Sequence, residues 1–404
     1  MISEEKILPK NWKLVKLGEV CNIIMGQSPP STSYNTDGVG MPFFQGKAEF
    51  TDLYPIVEKW CDAPNKIAEP NDILLSVRAP VGTTNIANQK CCIGRGLAAI
   101  RYENYKYAFY FLRSRQQELD SKGTGTTFRA ISGETIRETL FPFPPKTTQL
   151  AIVSKIEELF SELDKGIENL HTAQQQLKTY RQSVLKWAFE GKLTNENLKD
   201  GELPKGWKLQ KLNAIGEWKG GGTPSKANKT FWEKGNILWV SPKDMKSKVI
   251  RDTIDKITLD AIENSSTKLI NKGSILFVVR SGILRRTLPV AITICDVTVN
   301  QDLQAFTPKG VIPDYVYWYV QAKNEDIRRD CSKDGTTVES IESSLLKNYL
   351  IPICSNMEQN MIIQEIESRL SVADKMEESI TQSLQQAEAL RQSILKKAFE
   401  GKLV

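Results

Sequence analysis

Between Thr148 and Leu193, apolar residues fall at Ile152, Ile156, Leu159, Leu163, Ile167, Leu170, Leu177, Val184 and Ala188, at spacings built from threes and fours. Gln174 and Arg181 take the two seam positions that interrupt the series, and the stretch holds no proline and a single interior glycine, Gly166. This is coiled-coil periodicity sustained over several heptads. Thr147 or Thr148 is placed to cap the helix, and Gly191 to stop it. A second such stretch runs from Met357 to Gly401, with Ile362, Ile366, Ala373, Ile380, Leu384, Ala387, Ile394 and Ala398 on its seam. Each predicts a helix of about 42 residues, roughly 60 Å long at ~1.5 Å per residue.

Ahead of each helix the pattern changes. Asp72 to Arg78 and Ser274 to Arg280 are apolar and β-branched, which predicts buried strands. Tyr105 to Leu112 and Asp314 to Val320 predict short helices whose aromatic rings suit a core better than a platform for stacked bases. Glycine-rich turns punctuate the rest, at Gly26-Gln27-Ser28-Pro29, Gly220-Gly221-Gly222-Thr223-Pro224 and Gly123-Thr124-Gly125-Thr126-Thr127. The fold class is α+β: mixed α/β domains alternating with long helices.

The two halves are copies. Arg181 to Leu193 returns at Arg391 to Leu403 with two changes, and Leu8-Pro9-Lys10-Asn11-Trp12-Lys13-Leu14 returns as Leu203-Pro204-Lys205-Gly206-Trp207-Lys208-Leu209. A repeat this long is a duplicated domain with its appendage, not a solenoid unit. The offset is 195 from Trp12/Trp207 to Gly40/Gly235, 202 at Arg78/Arg280, 206 at Leu97/Leu303 and 210 from Tyr105/Tyr315 onward. Length changes are thus expected in the first hundred residues of each module, as variable loops on a shared frame. The predicted division is 1–146 and 203–356 for the two modules, 147–193 and 357–404 for the helical regions, and 194–202 for a linker.

Charge orients the helices. The first half of each is acidic (Glu157, Glu158, Glu162, Asp164, Glu168; Glu365, Glu367, Asp374, Glu377, Glu378) and the second half basic (Lys178, Arg181, Lys186, Lys192; Arg391, Lys396, Lys397). Antiparallel pairing sets unlike charges together and suits each macrodipole, giving a pseudo-two-fold pair with a module at either end. The alternative, each helix folding back on its own module, fails on length.

Composition narrows the class. No apolar run approaches the roughly 20 residues that span a bilayer, and the opening Met1-Ile2-Ser3-Glu4-Glu5 lacks the basic-then-apolar pattern expected of an export signal. The seven cysteines have no C-x-x-C spacing, as expected of reduced thiols in a cytoplasmic protein. A net charge of +6 permits nucleic acid without demanding it. The one histidine, His171, lies mid-helix without a counterpart, as a solvated or interhelical residue rather than a base or ligand would; one histidine cannot make an H-E-x-x-H site, and no phosphate-binding P-loop occurs. Phe141-Pro142-Phe143-Pro144-Pro145 lacks the Asn or Asp that an adenine-methyltransferase pocket places before its prolines. The chain is expected to bind rather than react, needing neither cofactor nor metal.

The layout resembles the specificity subunits of type I restriction–modification systems, in which two target-recognition domains alternate with two helical regions. The residues that carry the resemblance recur twice and in order. They are Leu-Pro-x-x-Trp at Leu8 and Leu203, the Gly-x-x-Pro turns at Gly26 and Gly221, and Pro42-Phe43-Phe44-Gln45-Gly46 with Ile237 to Pro242. The Gly-Thr loops (Gly125-Thr126-Thr127, Gly335-Thr336-Thr337), a Pro-rich strand leading to Gln149 or Gln359, and Leu-Lys-x-Ala-Phe-Glu-Gly-Lys-Leu at each helix end complete the series. The resemblance implies that each domain reads half of a split double-stranded DNA target in the major groove. It also implies that the helices set the gap and dock two modification methyltransferase subunits, which bring S-adenosylmethionine and flip the adenine, with restriction/translocase subunits joining the full complex. Half-sites read from one side of a duplex lie about one helical turn, 34–36 Å, apart.

Cys91-Cys92-Ile93-Gly94-Arg95-Gly96 stands opposite Val297-Thr298-Val299-Asn300-Gln301-Asp302, so the two half-sites should differ. Arg78 and Arg280, shared by both copies, suit a phosphate or a framework ion pair more than a base edge. Base readout is expected from what differs: Gln45, Lys47 and Arg95 in the first module; Lys243, Lys246, Arg285 and Arg286 in the second. Arg129 is a candidate for DNA or for structure. The competing readings are a peptide-binding adaptor on a coiled coil and a fused nuclease or methyltransferase.

Overall fold

The computed structural model describes residues 8–125, 129–195, 198–199, 201–333 and 338–404. Thr126-Thr127 of the first Gly-Thr loop, Gly335-Thr336-Thr337 of the second, and the opening Met1 to Glu5 lie outside the described residues. Two compact units result: one joins the residues up to His171 with Thr381–Val404, the other is Thr172–Ile380. Each unit therefore holds one module with parts of both long helices.

In the first unit, the four-stranded antiparallel sheet runs Asn22–Met25, Leu97–Arg101, Ile73–Ser76, Thr84–Ile86. A five-stranded sheet runs Tyr34–Asn35, Trp60–Cys61, Met41–Phe44, Cys91–Ile93, Ile67–Ala68. In the second, Gly216–Gly220, Leu303–Pro308, Ile275–Val278, Val290–Thr293 and Val249–Ile250 form one sheet, and Asp255–Ile257, Ile237–Val240 and Thr298–Val299 another. Ile73–Ser76 and Ile275–Val278 are buried at every position, as their unbroken apolar character requires of central strands. The aromatic helices Tyr105–Ser114 and Pro313–Ala322 pack on these sheets with Tyr107, Phe109, Phe111 and Tyr315 wholly buried, so their rings belong to the core.

The copies align differently from the sequence reading at one point. Tyr107 and Tyr315 play the same part: each hydroxyl donates to a proline carbonyl, of Pro142 and Pro352, at 2.9 Å, and each ring meets a helix-end phenylalanine, Phe399 or Phe189. The offset there is 208, not 210. It reaches 210 only at Ile131/Ile341, each bonded to the matched valine Val77 or Val279. A length change thus also falls late in the module, around the Gly-Thr loop, against the expectation of a constant last ninety residues; regularly spaced aromatics let the helix be aligned two residues out of step.

The long helices are Lys146–Phe189 and Asn356–Phe399. The first starts before Thr147 and Thr148, so neither is its N-cap. Every seam residue named above is buried or half-buried. In the second unit Arg181 binds Asp374 at 2.5 Å and Glu377 at 2.8 Å; in the first, Arg391 binds Asp164. In each unit the basic half of one helix thus lies along the acidic half of the other, the antiparallel arrangement that charge demanded.

Both helices end alike. Gly191 (φ +78°) and Gly401 (φ +71°) adopt the left-handed conformation; the Lys192 and Lys402 N–H groups donate to Trp187 and Lys397 carbonyls at 2.9 Å, closing the last turn. A Cβ on Gly191 would lie 2.2 Å from Pro204, and one on Gly401 2.4 Å from Pro9. The repeated Glu-Gly-Lys and Leu-Pro motifs are therefore the two sides of one contact, made once in each unit. Gln149 and Gln359, both buried, tie each helix start to its module: their side-chain amides donate to Pro144 and Cys354 carbonyls at 3.1 and 2.9 Å.

Candidate nucleic-acid interface

One edge of each module is assembled from turns the sequence scatters widely. In the first, Gly94 N–H donates to Phe44 O (2.8 Å), Gly96 N–H to Gln45 O (3.1 Å), Gln27 N–H to Ile93 O (3.1 Å) and Val77 N–H to Gly96 O (2.9 Å). These bonds gather the turns at 26–28, 45–47 and 94–96 around the end of the strand that leads to Arg78. Ala79 N–H donates to Arg129 O (2.9 Å), adding the residue after the Gly-Thr loop. Glycine is required for this closeness: a Cβ on Gly26 would lie 2.2 Å from Gly94 O, and one on Gly96 2.5 Å from Gln45 O.

The second module builds the same edge. Asn300 N–H donates to Val240 O (3.0 Å), Gly222 N–H to Val299 O (2.9 Å), Val279 N–H to Asp302 O (2.8 Å) and Ser281 N–H to Glu339 O (3.0 Å). Of the residues singled out from sequence, Gln45, Lys47, Arg78, Arg95 and Arg129 come together on the first edge, and Arg280 with the turn bearing Lys243 and Lys246 on the second. All of these are exposed. Among the described residues, the side chains of Lys47, Arg78, Arg95, Lys243, Lys246 and Arg280 form no ion pair. Unpaired cations gathered on one edge are what a polyanion requires.

The geometry bears on five of these residues. Lys47 and Lys243 follow the matched strand ends Phe44 and Val240 at the same distance, so they are a shared pair and do not belong to what differs between the modules. Their strands match at an offset of 196, one residue more than the 195 read up to Gly40/Gly235. Arg285 is engaged by Glu339, which occupies the place of Arg129, while Arg129 itself faces Asp120 at 3.6 Å. Arg286 stands elsewhere, lining a cavity of about 710 Å³ with Leu185, Phe189, Leu209 and Tyr319.

Sequence reasoning passed over two residues. Gln301 occupies the turn position of Arg95, where the pairing of 91–96 with 297–302 already set it, but a lone glutamine in a segment without identity to its partner was not singled out as a candidate. Glu49 is buried two residues after Lys47, and burial pushes its carboxyl above the usual carboxylate range; an acidic residue in a turn carries no sequence mark of being covered. His171 is exposed on its helix.

Comparison with known proteins follows the same lines. The family model described as Type I restriction modification DNA specificity domain matches residues 9–172 and 204–389. The type I restriction enzyme EcoR124I/EcoR124II specificity subunit of Escherichia coli is 34% identical over 293 residues, 71% of this chain and 67% of that protein. The putative type I restriction enzyme MjaX specificity subunit of Methanocaldococcus jannaschii is 39% identical over 197 residues, 47% of this chain; the match spans 45% of that relative's length. In fold, a chain of a type I R-M system solved for its complex assembly and conformational transition superposes with a TM-score of 0.75 at 20% identity, covering 98% of this chain and 100% of that one. The HsdS subunit from Thermoanaerobacter tengcongensis gives 0.66 at 19% identity, with both chains covered in full.

Proposed function

The chain belongs to the type I restriction–modification DNA specificity family, and from that premise we propose that it reads a bipartite, asymmetric DNA target, one half-site per module. It is the recognition component and performs no chemistry of its own. The observation that carries the reading is the paired edge. Lys47/Lys243 and Arg78/Arg280 repeat in both modules, as contacts to a phosphate backbone that is the same everywhere should, while the turns beside them differ, as contacts to two different half-sites should. Among the described residues no helix is long and apolar enough to cross a membrane, and the working place proposed is the cytoplasm, beside the genome.

The long helices serve as ruler and dock. Two modification methyltransferase subunits bound along them bring S-adenosylmethionine and act on an adenine flipped from the duplex, and restriction/translocase subunits complete the assembly. The test is the map of methylated adenines in cells expressing the chain with a methyltransferase subunit of the same system. One bipartite, asymmetric motif is expected, and removing matched whole turns from both long helices should abolish it or change its spacer. Methylation indifferent to the chain, or a spacer unmoved by shortening, would overturn the proposal.

A further inference from the structure

We propose that Arg95 and Gln301 are the equivalent base-reading residues of the two modules, Arg95 for a guanine in one half-site and Gln301 for an adenine in the other. The inference rests on the DNA-reading function proposed above and goes beyond it in naming the readers and what they read.

Their equivalence comes from backbone bonds. Leu97 N–H closes its turn on Gly94 O at 3.0 Å, as Leu303 N–H does on Asn300 O at 3.2 Å. The residue before each turn accepts from the turn at 27 or 222, the first residue of each turn donates to the strand end Phe44 or Val240, and the last accepts from Val77 or Val279. Arg95 and Gln301 are thus the middle residues of one turn built twice.

The two turns are stiffened by different means, which isolates the middle side chain as the variable element. Arg95 lies between Gly94 and Gly96, where a Cβ would strike Gln45 at 3.0 and 2.5 Å, so no neighbouring side chain competes with it. In the second module Asn300 and Asp302 replace the glycines and bind each other, Asn300 Nδ2 donating to Asp302 Oδ2 at 3.1 Å and Asp302 N–H to Asn300 Oδ1 at 3.1 Å. Both middle residues are exposed. Each is steadied by the hydroxyl at the matched position of the first glycine turn: Ser28 Oγ accepts the Arg95 N–H at 3.2 Å, and the Thr223 hydroxyl donates to Gln301 Oε1.

That bond turns Oε1 of the Gln301 amide toward the Thr223 hydroxyl. Its Nε2 is left to donate to adenine N7, and the second lone pair of Oε1 to accept from adenine N6, the bidentate pairing an amide makes in the major groove. A guanidinium in the same place donates twice, to O6 and N7 of guanine. The matched cations Arg78/Arg280 and Lys47/Lys243 flank the turn and hold the backbone in register, and Thr223 is a positioning residue.

The test is the methylation motif written in cells by the full chain with its methyltransferase, for the wild type, Arg95→Gln, Gln301→Arg and Thr223→Val. Arg95→Gln is expected to replace guanine by adenine at one position of one half-site, and Gln301→Arg to do the reverse in the other, each disfavouring the original base on the order of 10- to 100-fold. Thr223→Val should relax the Gln301 position alone. A wild-type motif left unchanged by both exchanges, or weakened evenly at all positions as loss of a phosphate contact would do, overturns the assignment while the DNA-reading function stands. Absence of any bipartite motif from the wild type overturns that function and this assignment with it.

Discussion

A glycine and a thiol show how far a residue's place decides its part. Gly191 and Gly401 hold positive φ against a proline ring, whereas a Cβ at Gly166 would meet nothing within 4 Å. Gly191→Ala or Gly401→Ala should therefore destabilise the protein by about 1–3 kcal/mol. Gly166→Ala should stabilise it by about 0.5–1 kcal/mol, because alanine loses less freedom in mid-helix; thermal midpoints of the three variants moving in one direction would contradict this. Burial pushes the Cys21 and Cys91 thiols up to about 12 and those of Cys331 and Cys354 to about 11, leaving them protonated at neutral pH. Cys295 alone is exposed. One equivalent of a thiol reagent is expected to label the native protein rapidly, and Cys295→Ser to remove it, as mass spectrometry would show. The number of cysteines was plain from the sequence; their inertness depends on packing.

At the scale of elements, matched glutamates at equivalent turns of the long helices bind the modules by unlike means. Lys106 of the aromatic helix reaches Glu157 at 2.7 Å. In the second unit the corresponding helix position holds Asp314, and Lys248 enters from a loop to bind Asp314 at 2.6 Å and Glu367 at 2.7 Å, above the rings of Tyr317 and Trp318. Burial pulls the Lys248 ammonium down, but its hydrogen bonds to the two carboxylates outweigh this and hold it above the ordinary lysine value. The resulting stabilisation is complete below the ordinary lysine pKa and is lost as pH rises through the raised one. Lys248→Ala, which leaves two facing carboxylates, should cost about 1–2 kcal/mol at neutral pH, and the difference from wild type should shrink as pH rises past the ordinary lysine pKa and through the raised one, read by denaturant titration. No local pattern pointed to Lys248, because its partners lie far along the chain and in another element.

For the whole molecule, DNA binding should depend steeply on salt, since each phosphate neutralised releases counterions. Alanine at Lys47, Arg78, Lys243 or Arg280 is expected to flatten the plot of log affinity against log salt by about 0.9 per charge, without changing the motif read. A slope left unaltered by all four would remove the phosphate role from these edges. Arg285→Ala should have less effect, since Glu339 already neutralises that side chain.

The sequence by itself determined the duplication, the two long helices with their seams and polarity, the central strands and the aromatic core, because each is a periodic or repeated pattern with a local physical cause. The shared frame was legible for the same reason: Trp12/Trp207, Gln149/Gln359 and Gly191/Gly401 repeat as residues. Only the tertiary structure decided which turns meet. It paired Lys47 with Lys243, closed Arg95 and Gln301 into one turn built twice, occupied Arg285 with Glu339 and set Arg286 in the lining of a cavity. Such correspondences are carried by backbone hydrogen bonds between distant segments, and those bonds constrain the position of a side chain while leaving its identity free.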